Sequence, residues 1–260
     1  MSFDLASAEA SILLPAFAAG LLVTATHVPL GMQVLARGIV FIDLAIAQIA
    51  GCGVLLADHI GFAPAGAAVQ VAALSAALAG ALLLIWTEEV WPEVQEAVIG
   101  VTFVLGATGS VLLLASNVHG SEHLRDLLVG QILWVQPARL LSVAAAYGLI
   151  LIRWFGARDR LGQIGFYALF AVAVTQSVQL VGLYLVFATL IVPPLATRRM
   201  ARRRPPAAWL LSVAAYATGL MLSTALELPT GPVIVWVLVA LALVWHTATA
   251  RRAVMVDGQG

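Results

Sequence analysis

The sequence predicts an all-α, polytopic membrane helical bundle of about eight to nine spans, forming one transmembrane domain over residues 1–260. Three observations predict it. Apolar residues make up 62% of the 260 and charged residues 10%, with a mean hydropathy of +1.02, so there are too few polar residues to cover a water-exposed surface. The apolar residues come in repeated runs of roughly 20, the length at which a helix crosses a hydrocarbon core of about 30 Å, and not in the alternation of barrel strands. The 13 basic residues, all arginine, fall between these runs in a one-sided pattern.

Nine runs can be read between polar breaks, near 10–34, 40–58, 63–86, 97–116, 136–154, 164–180, 182–197, 207–226 and 232–249, with eight spans as the alternative count. Placing Arg37 on the cytoplasmic side places Arg153, Arg158, Arg160, Arg198, Arg199, Arg202, Arg203, Arg204, Arg251 and Arg252 there too. Only Arg125 and Arg139 fall outside, so 11 of 13 share one side. The expected orientation has the N-terminus outside and the C-terminus in the cytoplasm. Asp4 and Glu9 stand where a secretory leader would be basic, so the first run is expected to remain in the mature chain.

The outer connections, Asp58–Pro64, Ser116–Asp126 and Glu227–Pro232, are short. They leave no room for a soluble catalytic domain, so function is expected in the spans or in surfaces offered to other chains. Leu127–Val135 is too short to cross alone and reads as a half-helix or an extension of the next span. Small residues in Ala65-Gly-Ala-Ala68 and Ala76-Ala-Leu-Ala-Gly-Ala81 let helix backbones approach closely. The single cysteine, Cys52, excludes an intrachain disulfide and reads as a packing residue. No phosphate-binding loop, nucleophile elbow, dinucleotide glycine pattern or CxxC pair is present, so any ATP hydrolysis belongs to another chain and no bound cofactor or nucleic-acid partner is expected.

Val181–Arg204 combines an apolar run, the pair Pro193-Pro194 and five arginines. Two adjacent prolines leave two carbonyls without their usual amide partners, which hydrocarbon penalises unless protein or water supplies substitutes. A helix broken at its inner end is expected there, with Pro193 and Pro194 as candidate gate residues.

Polar residues inside the spans are the candidate pathway. Asp43 and Gln48 are five positions apart, about 140° around a helix, and cannot share one narrow face. Asp43 either faces a polar interior or pairs with Arg37 at the interface. Gln48 reads as a hydrogen-bonding residue between helices or as a lining residue. Glu96 opens the fourth span, where a carboxylate meets the positive end of a helix dipole, and is also a pathway candidate. His27, beside Val28-Pro29, is either a buried hydrogen-bonded histidine or a metal or proton partner. His119, Glu122 and His123 cluster in an outer loop, as solvated loop residues or as a trio able to pass a divalent ion inward.

Five segments in register resemble the membrane permeases of zinc and manganese ABC importers. They are Pro29-Leu-Gly with Phe41-Ile-Asp-Leu-Ala-Ile-Ala-Gln-Ile-Ala-Gly, Glu96-Ala-Val-Ile-Gly, Leu127-Leu-Val-Gly, Val181–Arg198, and Pro229-Thr-Gly-Pro. The resemblance implies a type II importer fold and a homodimeric pore in the bacterial plasma membrane. It further implies two cytoplasmic ATP-binding subunits and an extracytoplasmic metal-binding protein, with zinc, manganese or iron as transported ion.

Two departures from the family pattern follow. Its members usually carry a histidine where this chain has Gln48 and an aspartate where it has Leu44, so Asp43 is displaced by one position, about 100° around a regular helix. Oxygen donors without that imidazole suit manganese or iron comparatively better than zinc. The inner loop expected to dock the ATPase shortens to Arg153–Gly162, leaving Arg158 and Arg160 as docking candidates. A gradient-driven secondary transporter or channel, with Asp43, Glu96 and His27 as a proton relay, is the alternative from another class. A structural subunit without transport competence is the third reading.

Overall fold

The computed structural model describes residues 2–62, 66–114, 128–130, 132–157, 160–200 and 204–257, the side chains of 2–10, 157 and 250–257 excepted. Among the described residues nine α-helices and no strand are found: α1 Ser2–Arg37, α2 Ile42–His59, α3 Ala67–Val90, α4 Gln95–Leu114, α5 Pro137–Ala157, α6 Gly162–Val181, α7 Leu183–Ala196, α8 Arg204–Leu226 and α9 Thr230–Asp257. Short 3-10 turns at Pro92–Val94 and Ile132–Trp134 precede α4 and α5. Each apolar run has become one helix. Eight are long and apolar enough to cross a membrane. The ninth, α7, has 14 residues; at 1.5 Å per residue it reaches about 21 Å, short of a hydrocarbon core of about 30 Å.

Local chemistry places the boundaries. Pro137 opens α5 and Pro205, Pro206 and Pro232 lie in the first turns of α8 and α9, where a missing amide costs no helical bond. Gly182, at φ 87° and ψ 159°, ends α6 and begins α7. That backbone conformation is open essentially to glycine alone.

Contacts at the two ends of the bundle show that successive helices alternate in direction. At one end Arg37 of α1 lies 4.3 Å from the centre of the Phe166 ring of α6. Trp154 of α5 packs on that ring at 6.1 Å, and Phe155 meets Trp209 of α8 at 6.5 Å. Tyr167 of α6 donates a hydrogen bond to Glu88 of α3, and the Arg204 guanidinium reaches the Pro194 carbonyl at 3.4 Å. At the other end Arg139 of α5 donates to Gln179 of α6 at 2.6 Å, and Ser223 of α8 meets Thr230 of α9 at 2.7 Å. Arg37, Arg153, Arg160, Arg198, Arg199 and Arg204 thus share one end and Arg139 lies at the other, as the arginine pattern required.

The core lies where α1, α2, α6 and α7 meet, around Ile42, Ile46, Tyr167, Phe170, Leu185 and Leu190. Its buried tyrosines all have hydroxyl partners: Tyr147 with Ser177, Tyr167 with Glu88, and Tyr216 with Thr189 at 2.9 Å. The outward faces of α4, α5 and α9 are apolar, with Leu105, Leu112, Leu141, Ile152, Trp236 and Leu243 exposed. A surface of that kind is suited to lipid.

Candidate functional site

The segment from Ile39 to Ala45 turns from α1 into α2. Ile42 donates to the Ile39 carbonyl at 3.3 Å and Ala45 to that of Phe41 at 3.2 Å, so helix geometry begins at Ile42. The residue before it, Phe41, has no side-chain oxygen with which to cap the free amides of the first turn. Glu96, in the first turn of α4, reaches across instead and accepts the Phe41 N–H at 3.3 Å through Oε1. The Phe41 ring stacks on Phe187 of α7, with centroids 6.1 Å apart and planes 7° from parallel.

Asp43 stands in this first turn, fully buried, and neither carboxylate oxygen has a hydrogen-bond partner. Arg37 does not neutralise it: the guanidinium lies over Phe166 instead. The interfacial Arg37–Asp43 pair offered by the sequence is therefore absent. The turn at Gly38 separates the two residues, leaving Arg37 with the end of α1 and Asp43 with α2. A buried carboxylate without a counter-charge is costly, and binding a cation would relieve that cost.

Gln48 lies further along α2 and is half-buried. It packs against α4 so closely that a Cβ on Gly106 would sit 2.8 Å from the Gln48 Cβ. One turn on, Cys52 donates to the Gly106 carbonyl at 3.0 Å and meets Ser110 at 3.3 Å. These contacts hold α2 and α4 together along the Gln48 side.

His27 is fully buried in α1, its Nδ1 3.1 Å from the Val23 carbonyl. The same Nδ1 lies 3.1 Å from the Thr26 hydroxyl; in the tautomer that donates Nδ1–H to the carbonyl, Nε2 keeps its lone pair, and Nε2 is buried and unpartnered. Among the described residues no three His, Cys, Asp or Glu side chains come together as a metal-holding group. Asp43 and Glu96 share the α2 entrance, and His27 does not join them in a three-ligand cluster.

The expected break at the double proline takes a different form. α7 runs through Pro193 and Pro194 and ends two residues later at Ala196. The carbonyls at the helix end find donors: Thr197 offers its amide at 3.2 Å and hydroxyl at 2.9 Å to Pro193, and Arg204 reaches Pro194. The Leu190 carbonyl, whose amide partner would have come from position 194, rests on Gly31 of α1 with no space for a Cβ between them. The sharp interruption lies at the other end of α7, at Gly182. Its backbone is pressed against that of Gly130, and a Cβ on Gly231 would lie 2.7 Å from the Val129 carbonyl. Three of the quoted sequence segments thus converge at one place.

Arg160 is exposed in the short connection between α5 and α6. His119, Glu122, His123 and Arg158 lie outside the described residues. Sequence reasoning missed the Glu88–Tyr167 hydrogen bond and the anchoring of Gln95, whose amide donates to the Leu84 carbonyl at 2.9 Å. Glu88 and Gln95 flank the α3–α4 turn, and their polarity beside an apolar run was the available signal.

No curated protein matches the chain in sequence. Among solved structures it is similar to PsaBC from Streptococcus pneumoniae in complex with Fab, with a TM-score of 0.70 at 19% identity over 90% of this chain and 89% of that one. It is also similar to an inward-facing structure described as a metal-chelate type ABC transporter, with a TM-score of 0.62 at 15% identity over 89% and 84%. At these identities the likeness shows the fold. The ABC 3 transport family matches residues 9–166 and 156–248, the two stretches meeting over the short α5–α6 connection. Matched over most of its length, the chain belongs to the ABC 3 transport family as a membrane-spanning permease.

Proposed function

We propose that this chain is the permease subunit of an ABC importer for a divalent metal ion, zinc, manganese or iron, and works by alternating access. The buried, unpartnered carboxylate of Asp43 carries the reading. A cation passing the α2 entrance meets there two carboxyl oxygens with no other partner, in a water-poor setting where electrostatic attraction is strong. Gln48 offers an amide oxygen further along α2, and the free Nε2 of His27 offers a nitrogen from α1. Two copies would form the pore. Cytoplasmic ATP-binding subunits would drive it, docking in part at Arg158 and Arg160, and an extracytoplasmic metal-binding protein would deliver the ion. The family membership and the resemblance of motifs support this assembly. The arginine-bearing end faces the cytoplasm in this reading, and residues 1–260 form one permease domain in the bacterial plasma membrane. Pro193 and Pro194, in the last turn of the short helix, are gate candidates.

The test is uptake of radioactive Zn, Mn and Fe in cells expressing the chain with its ATP-binding and metal-binding partners. Wild type is expected to accumulate at least one of the three in an ATP-dependent way. D43N is expected to lose most of that uptake while remaining folded, since the amide is near-isosteric with the carboxyl group. Failure to accumulate any of the three ions would refute the proposal. Flux driven by an ion gradient through this chain alone in liposomes would favour the secondary-transporter reading.

A further inference from the structure

α2 begins without a cap of its own. Its preceding residue is a phenylalanine, which makes no side-chain cap, and a fully buried aspartate stands two positions on. An uncapped first turn frays, and fraying here would move Asp43 directly. Two contacts from other helices converge on Phe41. Its N–H is held by Glu96 of α4 at 3.3 Å, and its ring is held by Phe187 of α7 at a 6.1 Å stack. Glu96 in turn is fixed by the residue before it. Gln95, buried, donates to the Leu84 carbonyl near the end of α3 at 2.9 Å. The start of α4 therefore anchors to α3 through one side chain and to α2 through the next.

We propose that Glu96 is a positioning residue: through Oε1 it caps α2 from a neighbouring helix and thereby fixes the turn that carries Asp43, a role that leaves Oε2, buried and unpartnered, unused. The inference rests on the permease reading and assigns part of its site. What the capping contact needs is an acceptor oxygen at Oε1, not a negative charge. A glutamine retains that oxygen, and an alanine does not. The geometry gives the cap a second consequence. Phe41 is shared between α4 and the short α7, so a displacement of either helix reaches Asp43 through one backbone junction.

The experiment uses the full chain in two arms. In the first, hydrogen exchange is followed in purified wild type, E96A and E96Q over the peptide covering 38–46. E96A is expected to exchange about fivefold faster at the start of α2, the usual scale for a lost cap, and E96Q to exchange close to wild type. In the second arm, metal uptake by the assembled transporter is measured against metal concentration. E96A is expected to raise the KM for the ion, and E96Q to restore most of what E96A loses. Wild-type exchange in E96A would overturn the capping role. Uptake lost as completely in E96Q as in E96A, with exchange protected in E96Q, would overturn the inference by showing that the carboxylate charge acts on the ion. Absence of ATP-driven uptake in wild type would count against the permease reading, and the exchange arm would still decide whether Glu96 holds the turn.

Discussion

The backbone of Gly130 lies directly on the backbone of Gly182, both glycines at positive φ, 72° and 87°. This contact ties the segment before α5 to the break between α6 and α7. Gly182 also has ψ 159°, in the region essentially reserved for glycine. G182A is therefore expected to combine backbone strain with steric overlap and to destabilise by at least ~2 kcal/mol. Gly148, in the middle of α5, has nothing within 4 Å of a built Cβ. There G148A is expected to be neutral or to stabilise by about 0.5–1 kcal/mol through helix propensity. Thermal midpoints of the two variants in the same detergent check the pair, and equal midpoints would remove the structural importance given to the Gly130–Gly182 contact.

The legible and illegible parts of this fold divide along sequence separation. Each helix announced itself because a span in hydrocarbon must satisfy its own backbone hydrogen bonds, so its signal is local. The same holds for the α6–α7 boundary, where Gly182 falls between two apolar runs. The one-sided arginines foretold which helix ends meet. The contacts that build the α2 entrance are not local: Phe41 and Glu96 are 55 residues apart and Tyr167 and Glu88 are 79 apart. Pattern reading found Asp43, Gln48, His27 and Glu96 as polar residues in apolar surroundings. It could not tell that the turn at Gly38 carries Arg37 away from Asp43, nor that α7 stays helical through both prolines.

Tyr167 and Glu88 join α6 to α3 at the arginine-bearing end, with Tyr167 wholly buried. Hydrogen bonds to charged acceptors contribute roughly 1.5–3 kcal/mol, and deleting one donor leaves the carboxylate less well satisfied. Y167F is expected to destabilise by about 1–2 kcal/mol. Y167F/E88A is expected to cost less than the sum of its two single changes, because the two side chains share one bond. Thermal midpoints of the four proteins give the cycle, and strict additivity would show that the bond contributes nothing.

The double proline makes the opposite prediction for stability. Replacing Pro193 or Pro194 with alanine supplies an amide that can reach the carbonyl of Thr189 or Leu190, four residues back. α7 is already helical through both positions, so P193A and P194A are expected to keep or raise the thermal midpoint. If the missing bonds let the last turn move during transport, the same variants slow uptake severalfold. A drop in thermal midpoint would show that the proline rings are needed for packing. Unchanged uptake in both variants would remove the gate role.

Gln48 offers the sharpest test of cargo. The family resemblance places an imidazole at this position, and the chain supplies an amide in its place. The site tolerates the exchange in principle: the close contact with α4 is made by the Gln48 Cβ, which stands against Gly106, and histidine has the same Cβ. Q48H is therefore expected to fold normally while adding a borderline-soft nitrogen to a pathway whose nearest carboxylate on α2 is Asp43. Nitrogen donors favour zinc over manganese more strongly than amide or carboxylate oxygens do. In competition uptake, Q48H is expected to shift preference toward zinc by about tenfold or more, a change of about 1.4 kcal/mol in relative affinity. G106V is the steric control, since its side chain would collide with the Gln48 Cβ and separate α2 from α4; it is expected to reduce uptake of all three ions alike. An unchanged zinc-to-manganese ratio in a well-folded Q48H transporter would place the path of the ion away from the Gln48 side of α2.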